Sequence, residues 1–200
     1  MDTQQKQPSP PRQDLLDTTQ TSLAELESNL EHIKSAPKNQ GSVELIVCRP
    51  STGKRRELEQ GQLCPERGLV GDNWQARGDY KRPGGQAHPD MQLNLMNARA
   101  ISAIARDKRH WKLAGDQFFI DMDLSPTNLP AGTRLQIGSA LIEVTAEPHL
   151  GCKKFLARFG KDAAMFVNSK IGKTLNLRGI NARVIEPGVV KPGDIVLKIA

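Results

Sequence analysis

The chain has 200 residues, 38% hydrophobic and 25% charged, the proportions of an ordinary folded domain, and no stretch approaches the ~20 apolar residues of a membrane helix. Its net charge of +6 is uneven: residues 1–40 carry four Lys/Arg against six Asp/Glu, so the basic excess belongs to the remainder and suits an anionic ligand as readily as a solvated surface. Cys48, Cys64 and Cys152 form no C-x-x-C pair, which excludes a disulfide framework and fits a reducing, cytoplasmic setting.

Residues 1–12 are rich in Gln and Pro, lack the apolar core of a secretory signal and the Arg-rich character of a transit peptide, and are expected to be a disordered tail. Leu16, Leu23, Leu26, Leu30 and Ile33 then recur on one side of a helix over residues 13–34. The repeat is too short for a coiled coil by itself, so packing onto the domain is favoured over self-association or a partner helix. Residues 36–41 read as a linker, dividing the chain into a tail plus helix (1–40) and one domain (41–200).

Residues 43–48 form a β-branched run stopped by Pro50 and a turn over 51–54, which together predict a hairpin. Residues 64–89 hold five glycines and three prolines and read as a loop; one this long in a compact domain is usually functional or disordered. Residues 91–96 alternate as a half-buried strand, and residues 97–106 predict a helix capped by Asn97. Further strands are expected over 117–121, 134–137, 141–146, 180–185 and 195–199, with helices over 153–159 and 161–169. Many short strands, few helices and turns at Gly132, Gly138 and Pro192-Gly193 predict a mainly β, barrel-like fold rather than an open parallel sheet.

Several fragments share an order with one family. They are Gly68-Leu69-Val70-Gly71-Asp72, Gly115-Asp116-Gln117, residues 121–138, Ala140-Leu141-Ile142-Glu143-Val144-Thr145, Gly151-Cys152-Lys153-Lys154-Phe155 and Arg178-Gly179-Ile180-Asn181, with the closing Lys191-Pro192-Gly193-Asp194. Over about 160 residues the chain resembles MOSC domains, named after the C-terminal region of molybdenum cofactor sulfurases. The resemblance implies a MOSC, pyruvate-kinase-type β-barrel and either sulfur carriage or binding of molybdenum in a molybdopterin-type cofactor. Many stand-alone members carry His-Gly-Gly after the G-D turn, whereas here Gly84-Gly85 precede a displaced His88. Chemistry depending on that histidine, including reduction of N-hydroxylated bases, is therefore not carried over.

Cys152, flanked by Lys153 and Lys154 at the expected start of a helix, has the setting that favours a thiolate, able to accept sulfur or ligate molybdenum. It is the candidate catalytic residue and metal ligand; the bland alternative is a small buried apolar residue. Candidate cofactor-binding residues are Lys153, Lys154, Arg178, Asp72, Arg77, Asn128 and His149, with Arg158 and Arg183 as further phosphate-gripping cations. Strand alternation prevents all these cations from lining one pocket. Asp72 reads equally as the closing residue of an Asx-turn. The His149-x-x-Cys152 spacing lacks the second pair that a zinc site requires.

No pyridoxal-lysine, Rossmann, flavin or iron–sulfur motif is present, so a sulfur donor or redox partner protein would have to be separate. Few aromatic residues and no recognised motif rank nucleic-acid binding last. The expected function is a MOSC protein acting through Cys152 in sulfur transfer or molybdenum-dependent redox chemistry. Its alternative is a non-catalytic module that binds an anionic ligand or protein partner.

Overall fold

Alternation along the strands builds the molecule, because each central strand sends neighbouring residues into two different apolar layers. The computed structural model describes residues 20–79 and 82–199; the expected tail and Leu16 lie outside them. In chain order come α1 (Leu23–Ser28), α2 (Leu30–Lys34), β1 (Gln40–Cys48), β2 (Arg56–Glu57), β3 (Gly61–Cys64), β4 (Gly68–Leu69), α3 (Trp74–Arg77), β5 (Leu93–Asn97) and α4 (Ala98–Ala105). There follow β6 (Phe118–Asp121), β7 (Arg134–Ile137), β8 (Ala140–Val144), α5 (Lys153–Asn168), α6 (Lys170–Thr174), β9 (Ile180–Glu186), β10 (Gly188–Val190) and β11 (Ile195–Ile199).

Seven strands close a barrel in the order β11-β7-β8-β9-β5-β6-β1, sealed by pairing of β1 with β11. Among the described strands only β5 and β6 run parallel, as the intervening crossover through α4 requires. β2 extends the sheet beyond β1 through Val47 and Cys48, completing the expected hairpin, and β10, β3 and β4 form a separate small sheet.

Phe118 and Leu95 point into the barrel core with Val43, Ile46, Ile120, Leu135, Ile142 and Val196. Their neighbours Phe119 and Met96 point outward into a second apolar layer with Ile101, Trp111, Phe155, Phe159 and Phe166. A bulge between Val43 and Leu45 lets β1 serve both layers, with Ile46 and Cys48 inside and Leu45 and Val47 outside. The half-buried strand expected over 91–96 is corrected here: all five residues of β5 are buried, because helices cover its outer face.

The N-terminal helical segment packs onto this outer layer, where Leu26 is fully buried and Ile33 nearly so. It is two short helices rather than one, and a capping box between Ser22 and Glu25 starts the first. The expected linker is also shorter than predicted, since Ala36 is buried and Gln40 and Gly41 already pair with β11. α5 is a single helical stretch kinked at Gly160, whose φ of 85° accounts for the two segments expected from the sequence.

Leu26→Ala is expected to lower stability by about 2–4 kcal/mol in urea unfolding, whereas the same change at exposed Glu31 should leave the midpoint nearly unmoved. An equal, negligible effect at both positions would show that the helix does not contribute to the fold.

Candidate functional site

Cys152 stands where the segment after β8 turns into α5. It is the helix N-cap, with extended backbone (φ −112°, ψ 174°) and no side-chain capping bond, and it is exposed. Its thiol therefore faces solvent at the positive end of a helix dipole. The residue before it is fixed by a reciprocal clamp: Gly151 N–H donates to Asn168 Oδ1 at 3.1 Å, and Asn168 Nδ2 donates to the Gly151 carbonyl at 3.3 Å.

The first turns of α5 form one wall of a cavity of about 300 Å³. Lys154, Ala157 and Arg158 line that wall; Arg49, the turn Ser51-Thr52-Gly53, Arg55, Asn73 and Arg77 line the rest. The lining thus holds five cations and no acidic side chain. Arg49 is committed to Asp72 by two parallel bonds of 2.8 Å. Asp72 also accepts from Trp74 N–H, so its expected Asx-turn is real and coexists with the ion pair.

The remaining cations pay an electrostatic cost for being close together. Burial, then Arg158 and Arg49, lower the Arg55 pKa to about 10. Burial also lowers those of Arg77 and Arg158, an effect on Arg158 that the nearby Cys152 opposes. Gly115 makes the approach of Arg55 and Arg158 feasible: its φ is 89°, and an added Cβ would lie 3.2 Å from Arg55 and 3.6 Å from Arg158. Two buried polar atoms of the lining residues, Arg55 Nε and Asn73 Oδ1, have no hydrogen-bond partner. A ligand with both acceptor and donor groups would satisfy them.

Behind Cys152 lies a second charged cluster. Asp116 has no exposed side-chain surface; its carboxylate accepts from Arg178 Nη1 at 2.7 and 2.8 Å and from His149 Nε2 at 2.7 Å. Burial alone would raise the Asp116 pKa, but Arg178 and then His149 outweigh it and hold it at about 2. Burial and Arg178 lower the His149 pKa against the opposing pull of Asp116; toward an ionised carboxylate, Nε2 is the donor. Arg178 further donates to the Ala114 carbonyl and lies 4.9 Å from the Phe155 ring centroid.

The structure therefore sorts the expected site residues. Lys154 and Arg77, with Arg158, share the cavity, Cys152 caps the helix that walls it, and Asp72 braces it through Arg49. Lys153 is exposed but outside the lining. Arg178 and His149 are instead committed to Asp116, and they line a different cavity of about 240 Å³. Arg178 thus serves Asp116 as an internal counter-ion with both terminal nitrogens in use, while its Nε is buried without a hydrogen-bond partner. The His149–Cys152 metal pair is likewise not formed: no cluster of three or more His, Cys, Asp or Glu able to hold a metal exists among the described residues.

Asn128 belongs elsewhere, donating to the Lys38 and Asp123 carbonyls and so fastening a loop. Arg183 faces outward to Asp90 and Glu143. Sequence reasoning missed Arg49, Arg55 and Asn73; the basic density of the run from Arg49 to Arg56 was the available signal.

A family model described as the MOSC domain matches residues 80–197. No curated protein matches the chain. Among solved structures, one titled only as a hypothetical protein superposes with a TM-score of 0.55 at 23% identity, covering 82% of this chain and 69% of the other. The YUAD protein of Bacillus subtilis gives 0.56 at 15% identity, covering 78% and 94%, and YiiM of Escherichia coli gives 0.51 at 23%, covering 80% and 70%. These likenesses concern the fold.

Asp116→Asn is expected to cost about 3 kcal/mol at neutral pH, because it leaves Arg178 buried without its counter-ion. The depressed Asp116 pKa stabilises the fold above the unfolded value of 3.8, and that contribution is lost as pH falls through about 2. Urea unfolding across this range should therefore show an acid-dependent loss in wild type that is reduced in Asp116→Asn; identical slopes would refute the pairing.

Proposed function

The chain belongs to the MOSC domain family, and from that premise we propose that Cys152 is its reactive group, carrying sulfur or ligating molybdenum beside a cavity that holds an anionic cofactor or small molecule. The observation that carries this reading is the exposed thiol at the start of α5, next to a cavity lined by Arg49, Arg55, Arg77, Lys154 and Arg158. The unpaired Arg55 Nε and Asn73 Oδ1 are what a bound polar ligand would satisfy. The functional unit is taken as residues 41–200, with α1 and α2 as an added cover, and its setting as cytoplasmic.

In the sulfur-carrying form, the Cys152 thiolate attacks the terminal sulfur of a persulfide on a donor protein. The donor's S–S bond breaks, its thiolate leaves, and the transferred sulfur remains on Cys152 as a persulfide. The nearby Arg158 guanidinium would stabilise the anionic persulfide once it has formed.

A molybdopterin-type cofactor fits the same residues: Cys152 would offer one thiolate to the metal, and Arg55, Arg77, Lys154 and Arg158 would grip the phosphate. When bound, such a group would supply two-electron redox chemistry at molybdenum, with electrons from a separate partner. The alternative remains a binding module in which the cationic cavity recognises an anion without chemistry at Cys152.

After incubation with a persulfide donor, intact mass spectrometry of the wild type should show an added mass of about 32 Da, one sulfur atom. Molybdenum near one equivalent after cofactor loading would support the metal-ligating form. Either signal should vanish in Cys152→Ser, and Arg55→Gln should reduce cofactor occupancy about tenfold. Wild type bearing neither sulfur nor molybdenum, yet still binding phosphate in an Arg55-dependent manner, would establish the binding-module reading instead.

A further inference from the structure

The cations that would hold a ligand line one cavity, whereas Asp116, Arg178 and His149 lie outside its lining. A fully buried ion pair is a poor source of net stability, which raises the question of what this one specifies. Its contacts point to a single answer.

Asp116 reaches both flanks of Cys152. On one side His149, three residues before the thiol, is bonded to Asp116 Oδ1 at 2.7 Å. On the other side Phe155, three residues after it, packs against Arg178, which is bonded to both Asp116 oxygens. The backbone between these flanks has few other ties: Pro148, Leu150 and Cys152 are exposed, and the Gly151–Asn168 clamp fastens the loop only to α5 itself. Asn181 of β9 holds the loop's start by donating to the Glu147 carbonyl at 3.0 Å; beyond it, among these contacts, the link from residues 148–152 to the barrel runs through Asp116, in the segment leading into β6.

We propose that Asp116 is a positioning residue, whose buried carboxylate fixes both approaches to Cys152 and so holds the thiol near the arginine-lined cavity, beside Arg158 though outside the lining itself. Its significance for function rests on the reading of Cys152 as the reactive group, but the positioning itself does not depend on what the thiol carries. Loss of the His149 anchor would loosen residues 148–152, together with the start of α5 to which they are clamped, from the barrel, and so move the thiol away from Arg55 and Arg77 on the opposite wall, while Lys154 and Arg158 travel with α5.

Alkylation kinetics test this, because the ratio of rates with anionic iodoacetate and neutral iodoacetamide reports the positive field at the thiol. The full chain carrying Cys64→Ser leaves Cys152 as the accessible thiol, Cys48 being buried. In that background the ratio should exceed that of free cysteine by about threefold or more. His149→Ala should lower it by about twofold or more, and His149→Gln, which retains a donor toward Asp116, should restore it. Phe155→Leu, releasing the other flank, should lower it in part, and serves if His149→Ala fails to fold by circular dichroism.

A general loss of stability would not distinguish Gln from Ala at position 149 in folded protein. The proposal is overturned if wild type shows no preference for iodoacetate, if the folded His149→Ala protein (or, failing that, Phe155→Leu) keeps the full preference, or if His149→Gln behaves like Ala. Failure of Cys152 to take up sulfur or molybdenum would overturn the functional reading and leave this ratio unaffected.

Discussion

A carboxylate with no exposed surface, Asp116, is the constraint around which the site is arranged. Buried charge is tolerated only when paired, and the pairing draws together parts of the chain that are distant in sequence: Arg178 before β9, His149 before α5, and Asp116 itself before β6. Its neighbours act in the same way. The Ala114 carbonyl accepts from Arg178, the Gly115 carbonyl from Arg49, and Gln117 bonds both the Asn94 N–H and the Gln92 carbonyl. Four consecutive residues thus join the barrel end, the thiol-bearing loop and the cation cluster into one polar assembly.

That assembly contains two kinds of cation, distinguished by what surrounds them. Arg49 and Arg178 each face a carboxylate within 3 Å and are internal counter-ions. Arg55 has a Lys54 carbonyl and the repulsion of Arg158 and Arg49, which together with burial lowers its pKa to about 10. Like charges held near one another destabilise the empty protein and are relieved by an incoming anion, so the free energy spent on folding Arg55 into place is recovered on binding.

What the sequence disclosed divides along the range of the forces involved. β7 and β11 were legible to the residue because each is a short run bounded by local turn signals, Gly138 after β7 and Pro192-Gly193 before β11. Asn97 was legible as a helix cap, its side chain accepting from Ala100 N–H, and Cys152 as an N-cap, because the signals lie within one turn. β5 was misread as half buried because its outer cover comes from helices far along the chain. The pairing of Arg178 was not legible for a related reason: nothing near it in sequence announces that its partner is Asp116, 62 residues earlier. Arg49, Arg55 and Asn73 look like an ordinary basic turn and loop until barrel closure brings them against α5.

The boundary of the family match adds a further step. Residues 80–197 include Asp116, His149, Cys152, Arg178 and the α5 wall of the cavity, so the thiol and its anchors lie wholly within the shared unit. Arg49, Arg55, Asn73 and Arg77, which form the opposite wall, precede it. The two walls answer to different demands. If Cys152 is the reactive group proposed above, it needs fixed geometry, which the proposed anchoring by the buried Asp116 carboxylate would supply. A ligand-gripping wall built on a β-turn and a glycine-rich loop can vary its cations without disturbing the barrel. Differences in ligand among proteins built on this fold should therefore concentrate in the segment corresponding to residues 49–77, while the anchoring of the cysteine stays with the barrel.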